Sequence, residues 1–189
     1  MDEVLAATAG VDADVAIAVA ATIVLFYTVS GGLLADAITA IGSPAADADW
    51  PWPEPRLSYA NAALPEALIA AGHELRRPDV VDDGLVLLRW LLDHETLDGH
   101  LSPTPVGGSG PGDDRCRFDQ QPIEVAALAD ACHRAHLVTG DDEWRRGVNL
   151  AIGWFAGDND LNATMWDPDT HGGYDGLTPT GPNLNQGAE

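Results

Sequence analysis

The chain has 189 residues, enough for one modest domain and an appendage. Acidic residues number 30 against 9 basic ones, every one of them Arg, for a formal charge of -21. That excludes charge-driven binding to nucleic acid or to anionic lipid, because too few cations are available to neutralise phosphates. Hydrophobic residues make up 46% and the acids are scattered, so a folded core with an acidic surface is expected rather than a disordered chain. An Asp-rich, Lys-free surface repels itself, and dissolved salt screens that repulsion. The composition therefore fits a halophilic protein working in a salt-rich cytosol. Cys116 and Cys132 cannot form the disulfide framework of a small secreted domain. Cys132 with His133 and His136 lacks the spacing of a zinc site. No metal or cofactor is expected.

Residues 1–43 form a hydrophobic N-terminal segment. The run VAIAVAATIVLFYTVSGGLLA, residues 15–35, carries no charge and at 21 residues is long enough to cross a bilayer as a helix. Acidic rather than basic residues precede it, which argues against a secretory signal. The nearest basic residue is Arg56, on the C-terminal side, which puts the globular part in the cytoplasm, anchored to the membrane through residues 15–35. Residues 44–56 hold four prolines, Pro44, Pro51, Pro53 and Pro55, which cannot continue a helix, and read as a linker that marks a domain boundary.

Residues 57–189 read as paired helices with long loops. A helix is predicted over 58–71, ended by Gly72, with Pro65 as a kink or second start. Another follows over 78–94, where Val81, Leu85, Leu88 and Leu92 recur at helical spacing. The stretch through LDGHLSPTPVGGSGPGDDRCR is a long loop. Helices are then expected over 120–139 and 142–156, with Gly140 and Asp141 at the turn between them. The rest reads as loop, with no alternation long enough for a strand. If the hairpins stack side by side, the loops after each pair gather on one face and line a cleft.

Those loops hold His100, Asp119, Gln120, Gln121, Glu124, Asn159, Asp160, Asp175, Asn183, Gln186 and Glu189, with Trp154 beside them. Planar amides, carboxylates and aromatic platforms are the groups that hold neutral sugars, which offer dense hydroxyls and flat C–H faces. Glycoside chemistry needs two carboxyl groups across the scissile bond, and the loop acids Asp119, Glu124, Asp160, Asp175 and Glu189 are the candidates. Asp158, Asp160 and Asn162 match the first positions of a calcium loop, but Ala163 and Asp169 stand where Gly and Glu are wanted.

Two resemblances add to this reading. FYTVSGGLLADAIT, within residues 1–43, is similar to a transmembrane stretch of sodium:solute symporters. A symporter needs many spans, so a fused membrane-protein remnant is implied rather than transport. Residues 50–189 resemble the helical C-terminal region of proteins classed as group-1 glycosyltransferases, which belongs with six-hairpin glycosidase-like folds. The matching words are WPWPEPRLSYANAALPEALIAAG, GHLSP, FDQQPIE, TGD, WFAGDND, DGL and NLNQGAE. The resemblance implies an all-α fold, an incomplete α/α toroid that would continue past NQGAE, and a role in carbohydrate metabolism. Its nucleotide-sugar-binding domain is missing, so a glycosyltransferase partner or missing domain is implied. Asp119 and Glu124 are then expected to be catalytic. His100, Gln120, Gln121, Trp154, Asn159, Asp160, Asp175, Asn183, Gln186 and Glu189 are expected to bind a carbohydrate ligand. A non-catalytic glycan-binding or scaffolding module is the alternative, and a symporter-fragment fusion without independent function is another.

The acidic surface makes one expectation independent of fold. Dialysis into very low salt should reduce helical circular dichroism and solubility, both recovering when salt is restored. Full helicity and solubility without salt would contradict salt adaptation.

Overall fold

A computed structural model describes residues 32–186. Most of the predicted span 15–35 and Glu189 lie outside the described residues. The chain divides into two compact units at the Ala40–Ile41 junction. Helix α1, Gly32–Ile41, begins at the second glycine of the Gly31-Gly32 pair, and none of its residues is buried. Among the described residues, no helix is long and apolar enough to cross a membrane.

The second unit is mostly helical. Helices α2 (Ala63–Glu74) and α3 (Pro78–His94) form one hairpin, and α4 (Pro122–Thr139) and α5 (Glu143–Ala156) form the other. Helix α4 also packs on α2, so the two hairpins share one core. Pro78 and Pro122 stand in the first turns of α3 and α4, where a missing N–H costs nothing. Helix α4 ends at Gly140 with φ 70°, and α5 ends at Gly157 with φ 107°. Both are left-handed caps of the kind glycine favours.

The core is built from Leu68 and Ile69 of α2, Leu87, Leu88, Leu91 and Leu92 of α3, Val125, Leu128 and Ala131 of α4, and Trp144, Ala151 and Trp154 of α5. Each large side chain removed from water contributes roughly 1.5–3 kcal/mol before entropy is charged against it. The helices approach closely because glycines stand at the crossings. A Cβ on Gly84 of α3 would lie 2.8 Å from Ile69 Cγ1 and 3.0 Å from the Ile69 nitrogen and the Pro65 oxygen of α2. Gly147 of α5 faces the buried thiol of Cys132 in the same way. Burial pushes the Cys132 thiol up to about 12, so it stays protonated and behaves as a small apolar group.

Three sequence expectations are corrected here. Gly72 does not end a helix. It lies buried inside α2, where a Cβ would come 2.8 Å from the Val81 nitrogen, and α2 runs on to Glu74. The helix begins at Ala63 rather than at residue 58, with Pro65 in its first turn. The proline-rich stretch 44–56 is not a spacer. Trp52 is 1% exposed and stacks on Trp90 of α3 at 5.9 Å, while Trp50 meets Trp90 edge-on at 5.0 Å. Leu57 just after it is fully buried and pairs with Ser109 through two backbone hydrogen bonds. Aromatic burial thus draws these residues into the domain.

The long loops also carry short antiparallel ladders. Strands β1 (Thr96–Leu97) and β2 (His100–Leu101) pair just after α3. Strands β3 (Gly176–Thr178) and β4 (Gly181–Asn183) pair near the C-terminal end of the described chain. At two or three residues each, they are too short to show alternation in sequence.

The glycine crossings give a prediction whose sign opposes helix propensity. Alanine in place of glycine ordinarily stabilises a helix by about 1 kcal/mol. Gly84→Ala is expected instead to destabilise the protein by about 1–3 kcal/mol in denaturant unfolding, because the α2 backbone blocks the methyl group. A gain in stability would contradict the close α2–α3 approach.

Candidate functional site

The loop after β2, the start of α4 and the loop after α5 are joined by one side chain. Gln120 is wholly buried just ahead of α4. Its amide nitrogen donates to Asp160 Oδ2 at 2.6 Å and to the Arg117 carbonyl at 2.7 Å. Its amide oxygen accepts from Trp154 Nε1 at 2.8 Å. The words FDQQPIE and WFAGDND therefore meet, as the gathering of loops on one face requires. Asp160 has a fully buried carboxylate, with Arg117 Nη1 3.5 Å and His100 Nε2 3.4 Å away. The His100 contact is ionic in distance but lacks hydrogen-bond geometry, and among the described residues its Nε2 has no hydrogen-bond partner. Asn159 ties its own loop: its amide nitrogen donates to the Trp154 and Ala163 carbonyls, and its amide oxygen accepts from the Leu161 and Ala163 nitrogens.

The main chain of Gln120 does further work. It exchanges two backbone hydrogen bonds with Leu177 of β3, at 3.0 and 2.9 Å. That bridge sets the β3–β4 hairpin against the start of α4. Gly176 is needed there, since a Cβ would come 2.7 Å from the Gln120 carbonyl oxygen. On the other side, the Val106 nitrogen donates to the Asp119 carbonyl at 2.9 Å.

Between these segments lies a cavity of about 430 Å³. Its polar walls are Tyr59, Asp119, Gln121, Asp175, Thr178 and Asn183, with Val106, Pro122 and Ile123 as apolar walls and Gln120 at the base. The volume lies within the range of small-molecule sites. Asp175 is held from behind, its Oδ2 accepting from Asn185 Nδ2 at 2.6 Å. Among the described residues the Asp119 carboxylate accepts no hydrogen bond, and Asp119 is exposed.

The structure thus brings Asp119, Gln121, Asp175 and Asn183 of the expected residues to open cavity walls. The others are corrected. Trp154, Asn159 and the carboxylate of Asp160 are buried and engaged by protein groups, and Gln120, though beneath the cavity, has every amide position occupied. Gln186 is exposed, but it braces a turn elsewhere, pairing with Asp167 at 2.9 Å and Thr170 at 2.8 Å. His100 packs against Asp160 and does not line the cavity.

Glu124 is also corrected. It is 4% exposed, and its carboxylate accepts from the backbone nitrogens of Ala60 and Asn61 and from Asn61 Nδ2. Burial raises its pKa above the ordinary carboxylate value, and those three donors oppose the shift. It holds the turn before α2, where Ala60 adopts φ 47° and Tyr59 reaches the cavity. A carboxylate saturated in this way is a structural brace and cannot also reach a substrate.

Sequence reasoning missed Glu95. It follows α3, is 2% exposed, and its Oε1 accepts from the Thr104 nitrogen at 2.9 Å and the Thr104 hydroxyl at 2.6 Å. Burial is the main cause that pushes its pKa up to about 7, and the Thr104 bonds oppose it. Nothing in the local pattern distinguishes it from an ordinary exposed acid at a helix end. Tyr59 and Thr178 were missed because single polar residues in turns carry no pattern.

No family model matches this chain, and neither curated proteins nor solved structures give a match.

Glu95 generates a prediction. Its folded pKa of about 7 lies above the ordinary 4.5. Between these values the folded state holds a proton that the unfolded state has released. The associated stability is present below pH 4.5 and is lost as pH rises through about 7. The slope is at most about 1.4 kcal/mol per pH unit. In chemical denaturation across this window, the wild type should lose stability relative to Glu95→Gln, which cannot titrate. Parallel stability curves for the two proteins would contradict an elevated Glu95.

Proposed function

We propose that this chain is a carbohydrate-active module, and that the cavity between Tyr59, Asp119 and the β3–β4 hairpin receives a hydroxyl-rich ligand. The observation that carries this reading is the convergence of Asp119, Gln121, Asp175 and Asn183 on one cavity of about 430 Å³. Two carboxylates, two amides, a threonine hydroxyl and an exposed tyrosine ring supply acceptors, donors and one aromatic face. That is the complement of a sugar's hydroxyls and C–H surface. On this reading Asp119 is the first catalytic carboxylate. Asp175 takes the role first expected of Glu124, because two carboxyl groups must face the scissile bond and Glu124 is committed to Ala60 and Asn61. Asp119 is free to approach a ligand, and Asp175 is oriented by Asn185.

The finer fold belongs to the same proposal. Two antiparallel helical hairpins with their long connectors meeting at one end support an α/α toroid arrangement of the six-hairpin glycosidase-like kind. The exposed Leu137 of α4 and Ile152 of α5, 66% and 61% accessible, suit a face on which a further hairpin or a glycosyltransferase partner packs.

Titration with gluco- and manno-configured oligosaccharides should perturb the Tyr59 and Asn183 resonances, and incubation should yield cleaved or transferred sugar. Asp119→Asn and Asp175→Asn should each lower turnover by about 100-fold or more while leaving the melting temperature near that of the wild type. Glu124→Gln should act on stability first. Undiminished turnover in both Asp variants would overturn the catalytic assignment. Binding without turnover in the wild type would leave the glycan-binding alternative.

A further inference from the structure

The charge on the cavity walls narrows the ligand class. Every ionisable side chain among the polar walls is a carboxyl or the phenol of Tyr59, and no Arg or His lines the cavity among the described residues. Arg117, a half-exposed guanidinium, has its Nη1 3.5 Å from the buried Asp160 carboxylate, to which the buried Gln120 amide is also bonded. Arg117 thus faces a carboxylate outside the cavity and is not among the cavity's walls. Asp113 likewise holds Arg56 at 2.8 Å. Among the described residues Asp119 has no ion-pair partner, and the Asp175 carboxylate is met by the uncharged amide of Asn185. The cavity therefore presents two uncompensated carboxylates inside a chain of formal charge -21.

Resting on the carbohydrate reading of this cavity, we infer that it selects by charge: it takes uncharged and amino-bearing sugars and rejects uronic, phosphorylated and nucleotide-linked ones. The physical reason is direct. An anionic group on a ring seated in this cavity meets the like charge of its carboxylate walls, with no arginine fork among the lining residues to accept it. A neutral hydroxyl at the same place donates to those carboxylates, and an ammonium group donates with charge assistance. The same chemistry separates this cavity from a nucleotide-sugar donor site, which requires groups that bind a pyrophosphate. If transfer occurs here, the cavity fits the glycan acceptor, or the substrate of a hydrolysis, and the charged donor must be held elsewhere.

The test uses the full chain and matched trisaccharides in neutral, 2-amino and uronic forms, in both gluco and manno configurations. Binding is followed by calorimetry or ligand-observed NMR at about 0.1 M and about 1 M potassium chloride, where the screening length falls from about 10 to about 3 Å. The expected result is that the neutral and amino forms bind roughly tenfold or more tightly than the uronic form of the same configuration at the lower salt. The gap should narrow at the higher salt, and it should collapse to within a few fold in the Asp119→Asn/Asp175→Asn double variant. Uronic sugars binding as well as neutral ones would overturn charge selection while leaving the carbohydrate reading standing. An unchanged gap in the double variant would also overturn it, because the carboxylates would not be its source. Failure of every sugar to bind would overturn the carbohydrate reading itself, and the inference with it.

Discussion

The site depends on one buried amide. Gln120 links Trp154 of α5, Asp160 of the following loop and the Arg117 carbonyl through its side chain, and it links Leu177 of β3 through its main chain. A buried polar group without partners costs on the order of 1–3 kcal/mol, so such a network is stable only when complete. Once complete, it fixes three segments distant in sequence against one another. Asp119 and Gln121, its immediate neighbours, are held at the cavity as a consequence. Asp175 and Asn183 arrive through the Leu177 bridge. A hairpin scaffold supplies the rigid frame, and Gln120 converts its loops into a defined concavity.

A second brace works from the opposite wall. Glu124, one turn further along, collects the turn at Ala60 and Asn61 and so sets Tyr59 at the cavity. Glu95 does similar work beneath it, pinning Thr104 two residues before Val106. Both acids are desolvated, and both favour protonation as a result. The open carboxylates Asp119 and Asp175 have instead been left to face the cavity. Burial thus sorts the acids of this region into structural braces and available walls.

Much of the fold was legible in the sequence because its signals are local. The repeat of Val81, Leu85, Leu88 and Leu92, the proline at 78 and the turn at Gly140 and Asp141 all act within one or two turns of helix. Gly72 misled because a glycine that ends a helix and one that lets two helices touch look alike in one dimension. The site was half legible for a related reason. Amides, carboxylates and indoles that bind a sugar are the same groups that satisfy each other in a buried network. Asp119, Gln121, Asp175 and Asn183 reached the cavity, whereas Gln120, Trp154, Asn159 and Asp160 built its support. What separates the two sets is burial, which arises from contacts between residues about 20 to 60 apart in sequence, such as Gln120 with Trp154 and Ala60 with Glu124. The linker was misread for the same cause, since only Trp90, forty residues on, makes Trp50 and Trp52 part of the core.

The coupling between the two ends of the Gln120 amide can be measured directly with a double-mutant cycle on Gln120→Leu and Trp154→Phe. Gln120→Leu keeps volume and Trp154→Phe loses part of the ring, a size cost that the cycle subtracts, while both remove the hydrogen-bonding groups. Unfolding free energies of the four proteins should give an interaction energy of roughly 1–3 kcal/mol, with each single variant more damaging than the second change made in its presence. Strictly additive energies would mean that the indole and the amide act independently, and the loops would then have no common anchor.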